Sequence, residues 1–244
     1  MYQDILKNTK HREIPLPNEF WILTQQWHHL LFIHLPFPKD TIKAHLPEGL
    51  ELDTYNGMAW ISIIPFKVTG MRMRNMPAVP YLSAYLELNV RTYVKREGIP
   101  GVYFFSLDAD KLLPVFGARI ITLPYFHAKM NMKRKKDLFY FESNRRDQPE
   151  AIFKGTYQPI SKPYYPEKHS LSNWLLERYV LWTYKYGALF RGDIHHTPWE
   201  VHDAEVIIEK DNMLPFPFDS IGEIQLSHYA SYKRVLIWPI RKVK

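Results

Sequence analysis

The segment YLELNVRTYV, residues 85–94, sorts by parity into two sets that no helix could separate. Tyr85, Glu87, Asn89, Arg91 and Tyr93 take the odd positions, and Leu86, Leu88, Val90, Thr92 and Val94 the even ones. Successive side chains of a strand point to opposite faces, so the segment predicts a strand with one apolar and one polar face. A wet face usually carries Lys, Ser, Thr and Glu, whereas this one brackets opposite charges with large aromatic rings. It is a surface strand, a buried polar network or the wall of an interior cavity, and its residue types favour the wall. Glu87 and Arg91 then lie roughly 13 Å apart along one face at the usual rise of a strand. That is too far for a direct pair, so each needs a partner from another strand or from a ligand.

Period-two patterns recur along the chain. Residues 27–35, 102–107, 118–130, 138–143, 151–157, 202–210 and 226–240 predict strands, with Pro124 interrupting one of them as a bulge or an edge. Asn56-Gly57 between apolar runs predicts a hairpin over residues 50–66. The KRKK run at 133–136 falls between two strands and reads as a solvated hairpin tip. Residues 38–47 predict a short helix opened by proline. In HSLSNWLLERYVLWTYKYG, residues 169–187, the positions Leu171, Trp174, Leu175, Arg178, Leu181 and Trp182 recur at three and four. With Ser170 or Ser172 as N-cap and Gly187 beyond the end, they predict one long helix. No linker or repeat divides the chain. The expectation is a single domain over residues 1–244 of α+β class, predominantly antiparallel β with a few peripheral helices, residues 1–20 forming a lead-in.

Composition removes several functions. The chain has no Cys, which excludes disulfides, thiolate catalysis and thiolate-held metals. His28-His29 and His195-His196 are adjacent pairs that diverge on a strand, and no zinc spacing is present, so no metal and no cofactor is expected. GxSxG, GxxxxGK[ST] and GxGxxG motifs are missing. The formal charge of +7 permits an anionic partner without requiring one. The N-terminus lacks the apolar core of a signal peptide, and the most apolar window, residues 27–38, is too short to span a bilayer. A cytoplasmic protein with a small-molecule partner, without nucleic acid or membrane, follows as the expectation, and self-association stays open.

Further candidates lie on the 118–130 segment, where Arg119, Tyr125, His127 and Lys129 share parity if Pro124 leaves the register intact. Arg119 suits a carboxylate, because a planar guanidinium offers two hydrogen bonds; a structural ion pair is an equal use for it. The loop RGDIHHTPWEV, residues 191–201, reads as hydrogen-bonded and packed by Trp199, or as a cavity rim.

The blocks HLPEGLELDTYNGMAWISIIPF, ELNVRTYV, GVYFFSLDAD, ARIITLPYF, LERYVLWT and IHHTPWEV together resemble the uncharacterized YqjF-like family of bacterial proteins. The likeness runs from about Trp27 to Trp238. That family is grouped with the acetoacetate decarboxylase-like fold, which implies a largely antiparallel β-barrel or cone around a cavity lined by the ELNVRTYV strand. Acetoacetate decarboxylases form a Schiff base through a lysine, and a strand glutamate shapes their site. The resemblance matches Glu87 to that glutamate and puts Tyr125 where the pattern has lysine. It therefore implies a small anionic or carbonyl-bearing ligand, held by Arg91, Arg119, Asn89, His127, Tyr85 and Tyr93, with proton transfer at Glu87 or Tyr125. The alternative is a Schiff-base lyase that recruits Lys129 or another lysine.

Overall fold

The computed structural model describes residues 2–81, 83–111, 122–217 and 226–243. Its first half runs α1 (Gln3–Lys7), β1 (Leu23–Phe37), α2 (Lys39–Lys43), β2 (Glu51–Leu52), β3 (Ala59–Met73), β4 (Tyr85–Arg96), β5 (Ile99–Ala109) and β6 (Tyr125–Lys135). The second half runs β7 (Leu138–Arg145), β8 (Ile152–Pro159), α3 (Leu171–Leu176), β9 (Val180–Lys185), β10 (Ala188–His195), β11 (His202–Asp211), β12 (Leu226–Ile237) and β13 (Arg241–Lys242).

The thirteen strands of the described residues belong to one hydrogen-bonded sheet that closes on itself twice. The path β4–β5–β6–β7–β8–β11–β12–β1–β3 returns to β4 as a nine-strand barrel. Pairing of β10 with β12 closes a smaller circuit through β9, β5, β4, β3 and β1. Among the described pairs only β5–β6 and β5–β9 are parallel, so the predominantly antiparallel expectation holds.

β4, which both circuits share, is buried along most of both faces, which explains its unusual odd face. Leu88 and Val90 enter the larger barrel with Leu31, Ile33, Ile61, Ile63, Phe141 and Phe153. Burying a side chain of this kind contributes roughly 1.5–3 kcal/mol. The odd residues of β4 turn toward the smaller circuit. β1 serves both circuits by changing parity midway: its register with β3 slips between His28 and Ile33, and His29 has a left-handed backbone (φ 54°). Before the slip Leu23, Gln25 and Trp27 face the smaller circuit, and after it Leu30 and Phe32 do.

Four expectations need correction. The long helix over 169–187 is the six-residue α3 followed by β9. Ser170 caps α3 by accepting the Asn173 N–H at 3.2 Å, but the β-branched and aromatic run from Tyr179 onward pairs with β10 instead of coiling. Gly187 (φ 71°) with Tyr186 (φ 53°) makes the hairpin turn between β9 and β10, not a helix cap. The Asn56-Gly57 turn exists, bridged only by Tyr55 and Met58; β2 pairs with β4, not with β3. β10 takes up the first half of the segment expected as the 191–201 loop. The strand expected over 118–130 starts at Tyr125, directly after Pro124; residues 112–121, with Arg119, lie outside the described residues.

Gly101 on β5 lies so close to β9 that an added Cβ would meet the Val180 carbonyl oxygen at 2.7 Å. This close approach seats the short parallel pairing that holds β9, and the Arg178 just before it, against β5.

Candidate functional site

Inside the smaller circuit lies a cavity of about 180 Å³. Apolar cavities of roughly 150 Å³ admit a benzene-sized molecule, so this one has room for a single small ring or branched chain. Its walls are mostly aromatic and aliphatic, with Trp27, Phe32, Phe66, Phe104 and Trp199 among them. The polar groups that reach it are few: Gln25, Glu87, Asn89, Arg91, Tyr125 and Arg178. An apolar pocket with a small convergent polar set is the usual form of a small-molecule site.

Glu87 is 6% exposed. Burial pushes its carboxyl up to about 7, opposed by hydrogen bonds from Asn89, Tyr125 and Tyr85. The Tyr125 hydroxyl donates to Glu87 Oε2 at a long 3.4 Å. From the wall a directional chain runs toward the carboxyl: Trp27 Nε1–H donates to Gln25 Oε1 (2.7 Å), and Gln25 Nε2 donates to the Tyr85 hydroxyl (2.9 Å). Tyr85 is thereby left to donate its own proton to Glu87. Burial, then the neighbouring Glu87, hold both tyrosines well above the ordinary phenol range. Tyr125 is therefore a hydrogen-bond donor at neutral pH, and of the two expected catalytic groups only Glu87 is poised to exchange a proton there.

At the other end of the wall Arg91 Nη2 reaches only the Leu175 carbonyl, at 3.4 Å, and buried Nε has no protein partner. Among the described residues no carboxylate pairs with it. Asn89 Oδ1, midway, is also buried and unpartnered. Orphaned buried polar atoms are uncommon in native proteins, and both of these belong to side chains that line the cavity.

The expected set is only partly assembled. Glu87, Asn89, Arg91 and Tyr125 meet at the cavity. Tyr85 and Tyr93 do not line it: Tyr85 backs Glu87, and the Tyr93 hydroxyl sits 2.5 Å from Ser62 Oγ with its ring against Trp174. His127 is also absent from the wall, because β6 carries it past the rim to the neighbourhood of Asp110. Lys129 is exposed on β6, so the lysine offered to a Schiff base faces away from the cavity. Arg119 lies outside the described residues.

Arg178 is a wall residue that its sequence spacing places on a helix face instead. Its Nη1 donates to Asp53 Oδ2 at 2.7 Å and its Nε to the Trp174 carbonyl at 2.7 Å, while Lys95 binds Asp53 Oδ1 at 2.8 Å. The signal in the sequence is an arginine on the apolar stripe with Leu171, Trp174 and Leu175. Asp53, 125 positions away, could not be paired with it from sequence.

Doubly closed sheet and enclosed cavity define a protein of the acetoacetate decarboxylase-like fold. An acetoacetate decarboxylase-like enzyme from Sphingomonas wittichii RW1 superposes with a TM-score of 0.63 at 13% identity, covering 97% of this chain and 99% of that one. The enduracididine biosynthesis enzyme MppR complexed with pyruvate gives 0.63 at 11% identity over 95% and 93%. The chain belongs to the DUF2071 family of uncharacterized conserved proteins, whose pattern it matches over residues 24–229. Uncharacterized protein YqjF of Bacillus subtilis (strain 168) is 45% identical over 233 residues, 95% of this chain and 96% of its own length. No helix among the described residues is long and apolar enough to cross a membrane.

Proposed function

We propose that the cavity takes a small organic acid or carbonyl compound and that Glu87 moves a proton on it. The observation that carries this reading is Glu87 itself, a buried carboxyl on the cavity wall that burial pushes up to about 7. In the step this suits, a C–H bond next to the ligand carbonyl breaks and its proton passes to the Glu87 carboxylate. The electron pair moves onto the carbonyl oxygen, toward which the Tyr125 hydroxyl is free to turn from its long bond to Glu87. The aromatic walls exclude water, and Arg91 favours a ligand of negative charge.

A Schiff-base lyase needs an amine, and among the described residues no lysine lines the cavity. The buried lysine that flanks it, Lys233, donates to the Pro198 carbonyl at 2.5 Å and lies 5.1 Å from the ring centroid of Trp199. Burial brings its ammonium down to about 8.

Deuterium exchange at the α-carbon of acetoacetate, pyruvate and phenylpyruvate, followed by proton NMR, tests the proposal. The wild-type protein is expected to exchange at least one of them, with a loss of roughly 10²–10⁴-fold in Glu87→Gln. Exchange at the buffer rate with all three would overturn proton transfer, and a borohydride-trapped adduct on Lys233 would establish the lyase instead.

A further inference from the structure

Two arginines that line the cavity share the same neighbours. Arg91 Nη2 reaches the Leu175 carbonyl and Arg178 Nε the Trp174 carbonyl, so both heads are tethered to consecutive residues of α3. Both also flank the ring of Tyr93, at 5.8 and 5.2 Å from its centroid. Each keeps a buried nitrogen without a protein acceptor, Nε of Arg91 and Nη2 of Arg178. Arg178 is 6% exposed, and its orphaned nitrogen belongs to a side chain that lines the cavity.

The charges around them do not balance. Asp53 is the carboxylate within ion-pair distance of Arg178, and it also serves Lys95. Glu13 acts on Arg178 only at longer range. Two cations therefore share that one close carboxylate and Arg91 has none, which leaves positive charge in excess at the cavity end. Isolated buried charge is costly, and a planar anion accepting from two guanidiniums would remove that cost while satisfying both orphaned donors.

From this geometry, with the cavity reading above as its basis, we infer that Arg91 and Arg178 form the seat for the carboxylate of an amphipathic organic acid. Its apolar body, about one ring in size, lies against Phe32 and Phe66, which directs its far end toward Glu87. Arg178 and Trp199 also border a second, more polar pocket of about 470 Å³ whose lining mixes Lys10, Lys95 and Lys168 with Glu13, Asp53 and Glu177. The seat thus borders the partition between the cavity and this charged vestibule, through which a polar ligand would approach.

Calorimetric titration of the full chain with benzoate and benzamide, and with phenylacetate and phenylacetamide, tests the seat. Each acid is expected to bind at least tenfold more tightly than its amide. That preference is expected to vanish in Arg91→Met and to fall in Arg178→Lys, which keeps a charge beside Asp53 but loses the planar fork. Arg91→Met removes only one long bond to the protein, so it reports even if the Arg178 variant folds poorly. Equal binding of acid and amide, or a preference that survives in Arg91→Met, would overturn the seat and leave the cavity as a neutral-ligand site. Failure of acids and amides alike to bind would overturn the cavity reading together with the seat.

Discussion

Replacing Asp53 with alanine is expected to cost about 3–5 kcal/mol of folding stability, read as a lower urea midpoint at unchanged slope. Asp53 and Arg178 have side chains only 2% and 4% exposed and meet at 2.7 Å. Without the carboxylate, a guanidinium fixed between Trp174 and Tyr93 stays buried with its charge uncompensated, since Nη2 already lacks a partner. Lys95, 43% exposed, can turn to water and adds little to the loss. The contrast that isolates burial is Arg134–Asp137, whose side chains are 52% and 76% exposed; Asp137→Ala there is expected to stay within about 1 kcal/mol. Similar small effects at both sites would mean that Asp53 and Arg178 are solvated, and the partition between cavity and vestibule would not be the rigid element described.

Glu87→Gln is expected to stabilise the protein above neutrality and to have little benefit in mild acid. The folded-state value of about 7 lies above the ordinary 4.5, so between them the folded protein holds a proton that the unfolded chain has released. Stability from this group is therefore greatest below 4.5, declines as the pH rises and is lost above about 7. The distance between those two values corresponds to roughly 3 kcal/mol. The ionised carboxyl carries that cost in alkaline buffer, and an uncharged amide avoids it. Urea unfolding of wild type and variant on the two sides of neutrality reads the difference; a gap that does not change with pH would contradict the buried ionisation.

The histidines set the opposite limb. Burial lowers His34 well below its usual range and brings His228 and His195 down to about 4. Below about 6.5 the unfolded chain takes up protons that these folded imidazoles refuse, so stability falls with acid. The two limbs leave the protein most stable in a window just below neutrality.

The odd face of β4 was legible because parity depends only on strand geometry, and its mixture of charge and aromatic rings argued against water. The family likeness added that the face looks into a cavity. What parity could not reveal was which odd residues reach it. Tyr85 and Tyr93 share a face with Glu87 and Arg91, yet their hydroxyls are drawn aside by Gln25 on β1 and Ser62 on β3. The parity switch at His29 was likewise hidden, since a single extra residue in one strand leaves no compositional mark. The spacing over 169–187 overextends the helix because Leu181 and Trp182 continue the helical period by coincidence. On β9 they point to opposite sides, Leu181 into the cavity and Trp182 into the cluster with Val94 and Val180. Arg178 sits where helix and strand meet, and its role depends on Asp53 and Tyr93, partners that only the closed sheet brings near.

Everything proposed for the cavity depends on the Glu87 carboxyl belonging to a dry wall that a ligand can occupy. A carbon-13 NMR titration of that carboxyl, assigned by its loss in Glu87→Gln and repeated with benzoate present, addresses this directly. The expected midpoint is near 7 in the free protein and higher with the cavity filled, since a bound anion and further loss of water both disfavour the carboxylate. A midpoint at the ordinary value of about 4.5, indifferent to benzoate, would show a solvated side chain and contradict the dry wall.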